Sequence, residues 1–137
     1  MDVPVLEVVL AGVDGAMAGV AWVILLCTYP DFARWREEGF ARDHADYTRR
    51  IGWLVGPLLS AQLAGHLLLW SLAGDLVGMT LVAGGWVLTG GWSVPCHRRL
   101  QREGPTSPAL GGLIRSHAWR TLVWSALAVH SVVRAAG

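Results

Sequence analysis

Four long apolar stretches dominate the order of hydrophobic and polar positions. They cover about residues 3–29, 51–72, 76–94 and 113–136, each near the roughly 20 residues that a helix needs to cross a bilayer. The first stops at Pro30-Asp31, the second is launched by Arg49-Arg50, and the third ends at Pro95. Ala73-Gly74-Asp75 is too short for anything but a tight hairpin between the second and third. In residues 31–50, Phe32, Trp35, Phe40 and Tyr47 interleave with five arginines and five acids. That pattern predicts an amphipathic or protruding helix, continuous with the second span. Gly104-Pro105-Thr106-Ser107-Pro108 has the composition of an irregular turn. Small residues recur every four positions at Ala11, Gly15 and Gly19 and at Gly52 and Gly56. Such spacing predicts seams where helix backbones approach closely.

Charge then orients this pattern. Nine of the eleven arginines fall in residues 31–50 and 97–116, and positively charged loops stay on the cytoplasmic side. The expected fold is therefore all-α, a single domain of four transmembrane helices with both termini non-cytoplasmic, in the plasma membrane. Met1 to Glu7 holds acids and no basic residue, unlike the start of a secretory signal. Only 15% of residues are charged, against roughly 25% in soluble domains. A net charge of +1 gives no basic face for nucleic acid, so the expected surroundings are lipid and other membrane subunits or further copies of the chain. The eight tryptophans, among them Trp22, Trp86 and Trp124, suit headgroup level. Cys27 and Cys96 read as reduced packing residues.

Ionisable residues inside a membrane are expensive and point to function. Here they sort into two depths. Near the termini lie Glu7 and Asp14, seven apart on one helix face, Gln62 and His66, four apart on another, and His130. Glu7, His66 and His130 stand at similar height. They are candidates to hold a haem, a pigment or a metal ion, and the alternative is that each histidine bonds a neighbouring helix. Near the arginine-rich loops lie His44, Asp43, Asp46, Tyr47, His97, His117 and Arg120. Three histidines from three segments at one depth predict a polar cluster, although Arg120 is also near enough to the interface to snorkel.

The ordered strings His44-Ala45-Asp46-Tyr47-Thr48-Arg49-Arg50-Ile51, Gly56-Pro57-Leu58-Leu59, Val94-Pro95-Cys96-His97-Arg98-Arg99-Leu100 and Trp119-Arg120-Thr121 with Trp124 resemble a family of small, uncharacterised four-helix bacterial membrane proteins. They are distantly similar to the anthrone-oxygenase-like membrane proteins. The resemblance spans about residues 20–128 and implies a shared site of His44, Tyr47, Thr48, Arg49, His97, Arg120 and Thr121, with Pro57 and Pro95 shaping helix ends. Gln62 stands where that family tends to carry Glu, Ser93 where it has Gln, and His117 where it has Asn. These departures leave open a retained scaffold whose activity is lost or changed.

Two functions follow as expectations. One is an accessory or cofactor-associated subunit of a larger membrane assembly, with His66 or His130 as an axial ligand. The alternative is an oxygenase-like membrane oxidoreductase, cofactor-free or metal-assisted, acting on a hydrophobic substrate. There His97 and His117 would serve as bases oriented by Asp46 or Tyr47, and Arg120 would stabilise an enolate or phenolate.

Overall fold

A backbone that runs through apolar surroundings must satisfy its own N–H and C=O groups, and a helix does this within one segment. The computed structural model, which describes residues 2–137, is accordingly all helical, with no strand among the described residues. Its four long helices are α1 (Val3–Phe32), α2 (Phe40–Ala73), α3 (Leu76–Glu103) and α4 (Ala109–Ala136). The first three are long and apolar enough to cross a membrane. The fourth has 28 residues but carries Arg115, His117, Arg120, His130 and Arg134. The bundle closes as a ring, α1 against α2 and α4, and α3 against α2 and α4. Its outward surface is apolar: Trp53 is 79% exposed, Val87 71% and Leu26 66%. Helices that are apolar on their outer as well as their inner faces suit a lipid environment.

Two helices outrun the sequence boundaries for a shared reason. α1 continues past Pro30 to Phe32, and α3 past Pro95 to Glu103. A proline inside an α-helix collides with the carbonyl four residues back and offers no N–H. In both helices a wider π-helical turn immediately precedes the proline, at Ile24–Thr28 and at Thr89–Ser93. The carbonyls at risk, those of Leu26 and Gly91, lie inside these turns, so the widened helix accommodates the ring without breaking. The segment 31–50 divides. Residues from Phe40 onward form one helix with the second span, as predicted, whereas residues 33–39 turn and only bridge to it. α4 starts at Ala109, directly after the Gly104–Pro108 turn.

The glycine seams are elsewhere than the spacing suggested. A methyl group placed on Gly15, Gly19, Gly52 or Gly56 would meet nothing within 4 Å. The close approaches occur at isolated glycines. A Cβ on Gly65 would lie 2.5 Å from Leu10, and one on Gly85 only 1.9 Å from the Trp124 ring. Trp124 is correspondingly a core residue, 1% exposed, packed with Met17, Ala21, Leu59, Val82 and Leu127, and not a lipid-level tryptophan. At the hairpin, Gly74 takes φ 69° to end α2, and Asp75 caps α3 by accepting from the Gly78 N–H at 3.2 Å.

Candidate functional site

Between the middle of the bundle and its arginine-rich end lies a cavity of about 350 Å³. Met17, Val20, Ala21, Ile24, Val55 and Leu59 give it apolar walls, and it opens between α2 and α3 where Gly52, Val94 and Arg98 are exposed. One end is polar, formed by Tyr29, Tyr47, Thr89, His97, His117 and Arg120.

The hydrogen bonds at this end have a direction that the outermost residue dictates. The amide nitrogen of Gln101 donates to the Ala41 carbonyl, so its oxygen faces His44 and accepts from Nδ1–H at 2.5 Å. His44 Nε2 is then an acceptor, taking the Nδ1–H of His97 at 3.1 Å. That leaves His97 Nε2 to accept from the Tyr29 hydroxyl, again at 3.1 Å. Gln101, His44, His97 and Tyr29 thus form one polarised relay from α3 through α2 and back through α3 to α1. Its far end reaches an open surface recess lined by His44, Thr48, Arg98 and Gln101.

A second chain runs beside it. Arg120 Nη2 donates to His117 Nδ1 at 2.6 Å, and His117 Nε2–H donates to the Ala21 carbonyl at 2.9 Å. Arg120 Nη1 donates to Thr89 Oγ1 at 3.3 Å, and that hydroxyl donates to the Gly85 carbonyl. Because arginine only donates, His117 is held neutral with both ring nitrogens engaged. The expectation of His117 as a base is therefore corrected: it positions Arg120. The ring of Tyr29 lies 4.8 Å from that of His117, which joins the two chains into one cluster.

Arg120 is 9% exposed and does not snorkel. Among the described residues no carboxylate pairs with it, and its Nε is buried without a partner, as is the hydroxyl of Tyr47. Tyr47 packs its ring 5.0 Å from Phe32 and faces the cavity. Asp46 and Asp43 orient no histidine, since they pair with Arg49 and Arg42 on the exposed side of α2. Thr48 lines the cavity, its hydroxyl bonded to the Ala45 carbonyl, and Thr121 is buried with its hydroxyl on the His117 carbonyl. Tyr29, Thr89 and Gln101 escaped sequence reasoning. A tyrosine in the last turn of an otherwise apolar span was the only signal for the first.

At the other depth, Asp14 is fully buried and accepts three hydrogen bonds. They come from Gln62 Nε2 at 2.7 Å, His66 Nε2 at 3.0 Å and Ser131 Oγ at 2.6 Å. His130 Nε2 donates to Asp75 at 2.9 Å. Glu7 stands apart from both histidines, bound by Arg134 at 2.5 Å. Burial raises the Asp75 carboxyl, but the hydrogen bonds from the Gly78 N–H and from His130 outweigh it and hold the group below the usual carboxylate range. The three expected residues therefore do not come together: the Nε2 atoms of His66 and His130 donate to two different carboxylates and Glu7 is held by Arg134. No three His, Cys, Asp or Glu side chains among the described residues are grouped to bind a metal.

Comparison with protein-family models, with curated proteins and with solved structures finds no match to this chain.

Proposed function

We propose that the chain is a four-span protein of the bacterial plasma membrane, both termini outside, that binds a hydrophobic small molecule bearing an acidic hydroxyl or enol. It acts on that molecule as an oxygenase-like oxidoreductase. The observation that carries this reading is Arg120, a buried cation without a carboxylate at the polar end of an apolar cavity. A charge taken out of water needs a counter-charge, and a phenolate or enolate supplies one where the wall already selects an apolar body. The opening between α2 and α3 supports entry from the lipid, where such a molecule partitions.

The residues divide the work. Arg120, oriented by His117 and Thr89, stabilises the oxyanion. Tyr29, whose own proton points at His97, presents lone pairs to the cavity. It receives the substrate proton as it passes its own to His97; His97 passes its Nδ1 proton to His44, and His44, which borders the surface recess, releases a proton to water. The product is a bound, electron-rich anion, the form of an aromatic substrate that dioxygen oxidises. Two family-implied residues, His44 and His97, sit in the relay, and a third, Arg120, at the anion site.

Absorption titration of the purified protein with a hydrophobic naphthol, in mild detergent, tests this. The bound naphthol should show naphtholate absorption at a pH where the free compound is protonated, and Arg120→Gln should lose it. Equal spectra in both proteins would overturn the reading. For the topology, reporter fusions at Gly137 and Gly104 should give opposite sidedness, and equal sidedness would refute it.

A further inference from the structure

The network at the termini end is independent of the cavity and has chemistry of its own. His66 is fully buried between two carboxylates: its Nε2 donates to Asp14, and its Nδ1 lies 3.9 Å from Asp75 Oδ2. That Nδ1 is buried without a hydrogen-bond partner, as is Oε1 of Gln62. From α4, Ser131 faces Asp14 and His130 faces Asp75, while Glu7 and Arg134 neutralise each other. His130 is the group of this network that reaches the surface, with its side chain 21% exposed. The contact between Asp75 and His66 is built around a missing side chain. A Cβ on Gly78 would fall 2.3 Å from Asp75 Oδ2 and 2.7 Å from His66 Nδ1. Only glycine lets these two groups face each other.

We propose that Asp14 is a proton-binding site in the interior of the bundle, loaded from the face bearing the termini through His130, Asp75 and His66. A proton from water enters on His130 Nδ1 as the Nε2 proton passes to Asp75. Asp75 hands its proton to His66 Nδ1, and His66 releases its Nε2 proton to the Asp14 carboxylate. One hydronium proton is consumed at the face and one carboxylate becomes a carboxylic acid. Only N–H and O–H bonds change, no electron moves, and the reverse passage restores both rings. The 3.9 Å step is the longest and sets the pace. Loading has a structural consequence, because among the described side chains Asp14 alone hydrogen-bonds to both α2 and α4. It lies one turn from Met17, and Gln62 one turn from Leu59, both in the cavity wall.

Infrared difference spectroscopy of the full-length protein in mild detergent, between mildly alkaline and mildly acidic buffer, tests this directly. The expected result is a carboxylic C=O band, typical of an apolar site, that appears on acidification and moves when the unmodified protein carries isotopically labelled aspartate. Asp14→Asn should lose the band and Glu7→Gln should keep it. After rapid acidification the band should grow more slowly in Gly78→Ala than in the wild type. The proposal is overturned by the absence of any such band in the wild type, by a band that moves with labelled glutamate instead, or by equal growth rates in Gly78→Ala. The labelled wild type decides the matter even if Asp14→Asn does not fold.

Discussion

The two polar clusters of this bundle hold similar groups and treat charge in opposite ways. At the termini end three carboxylates between the helices each have a donor: Asp14 has three, Asp75 has His130 and a backbone N–H, and Glu7 has Arg134. At the arginine-rich end a guanidinium is buried against neutral partners only, next to about 350 Å³ of space. Matched charges bind helices together, whereas an unmatched charge beside a cavity asks for a ligand. The same contrast explains why the deeper carboxylate cluster suits proton storage and the other suits anion chemistry.

The sharpest way to break this contrast is to remove a matched group. Asp14→Ala would strand three buried donors, and breaking a buried ionic site costs about 3–5 kcal/mol. Unfolding in mixed detergent should show a loss of that order, and a loss within the noise of the measurement would mean that Asp14 does not hold the helices. The unmatched group should behave in the reverse manner. Arg120→Gln leaves stability nearly unchanged but removes a charge-assisted bond to an anion, worth about 1.5–3 kcal/mol. Naphthol affinity measured by tryptophan quenching should fall roughly 10–150-fold by the same figure. Unchanged affinity would make the two ends alike.

Packing offers a comparison of the same kind. Gly85→Ala forces a methyl into the Trp124 ring and should destabilise by about 1–3 kcal/mol, while Gly15→Ala, with nothing within 4 Å, should stabilise by up to about 1 kcal/mol through helix propensity. If thermal melts rank the two variants the other way, the seam is wrongly located.

The smallest effect concerns Asp75. As the cap of α3, its replacement by Ala should cost about 1 kcal/mol. Its carboxyl is held below the usual range, so its contribution is present above the ordinary carboxylate pKa and fades as pH falls through the folded value. Stability followed on the acid side should therefore drop less steeply in Asp75→Ala than in the wild type.

The helices themselves were legible in the sequence, because a long apolar run leaves the backbone no other way to satisfy itself. The hairpin at Gly74, the continuity of residues 40–50 with the second span, and the nearness of His44, His97, His117 and Arg120 followed from local order and matched depth. What lay outside its reach was rotation. Depth along a helix is counted in residues, but which neighbour a side chain meets depends on how four helices turn against one another. Hence Glu7 was grouped with His66 and His130 although Arg134 takes it, and Gly15, Gly19, Gly52 and Gly56 looked like seams although Gly65 and Gly85 are. The tautomer of His117 belongs to the same class. Nothing in the chain order states that an arginine one turn away occupies one of its nitrogens and a carbonyl from α1 the other. Those two contacts, made only when the bundle closes, turn a candidate base into the support of a buried cation.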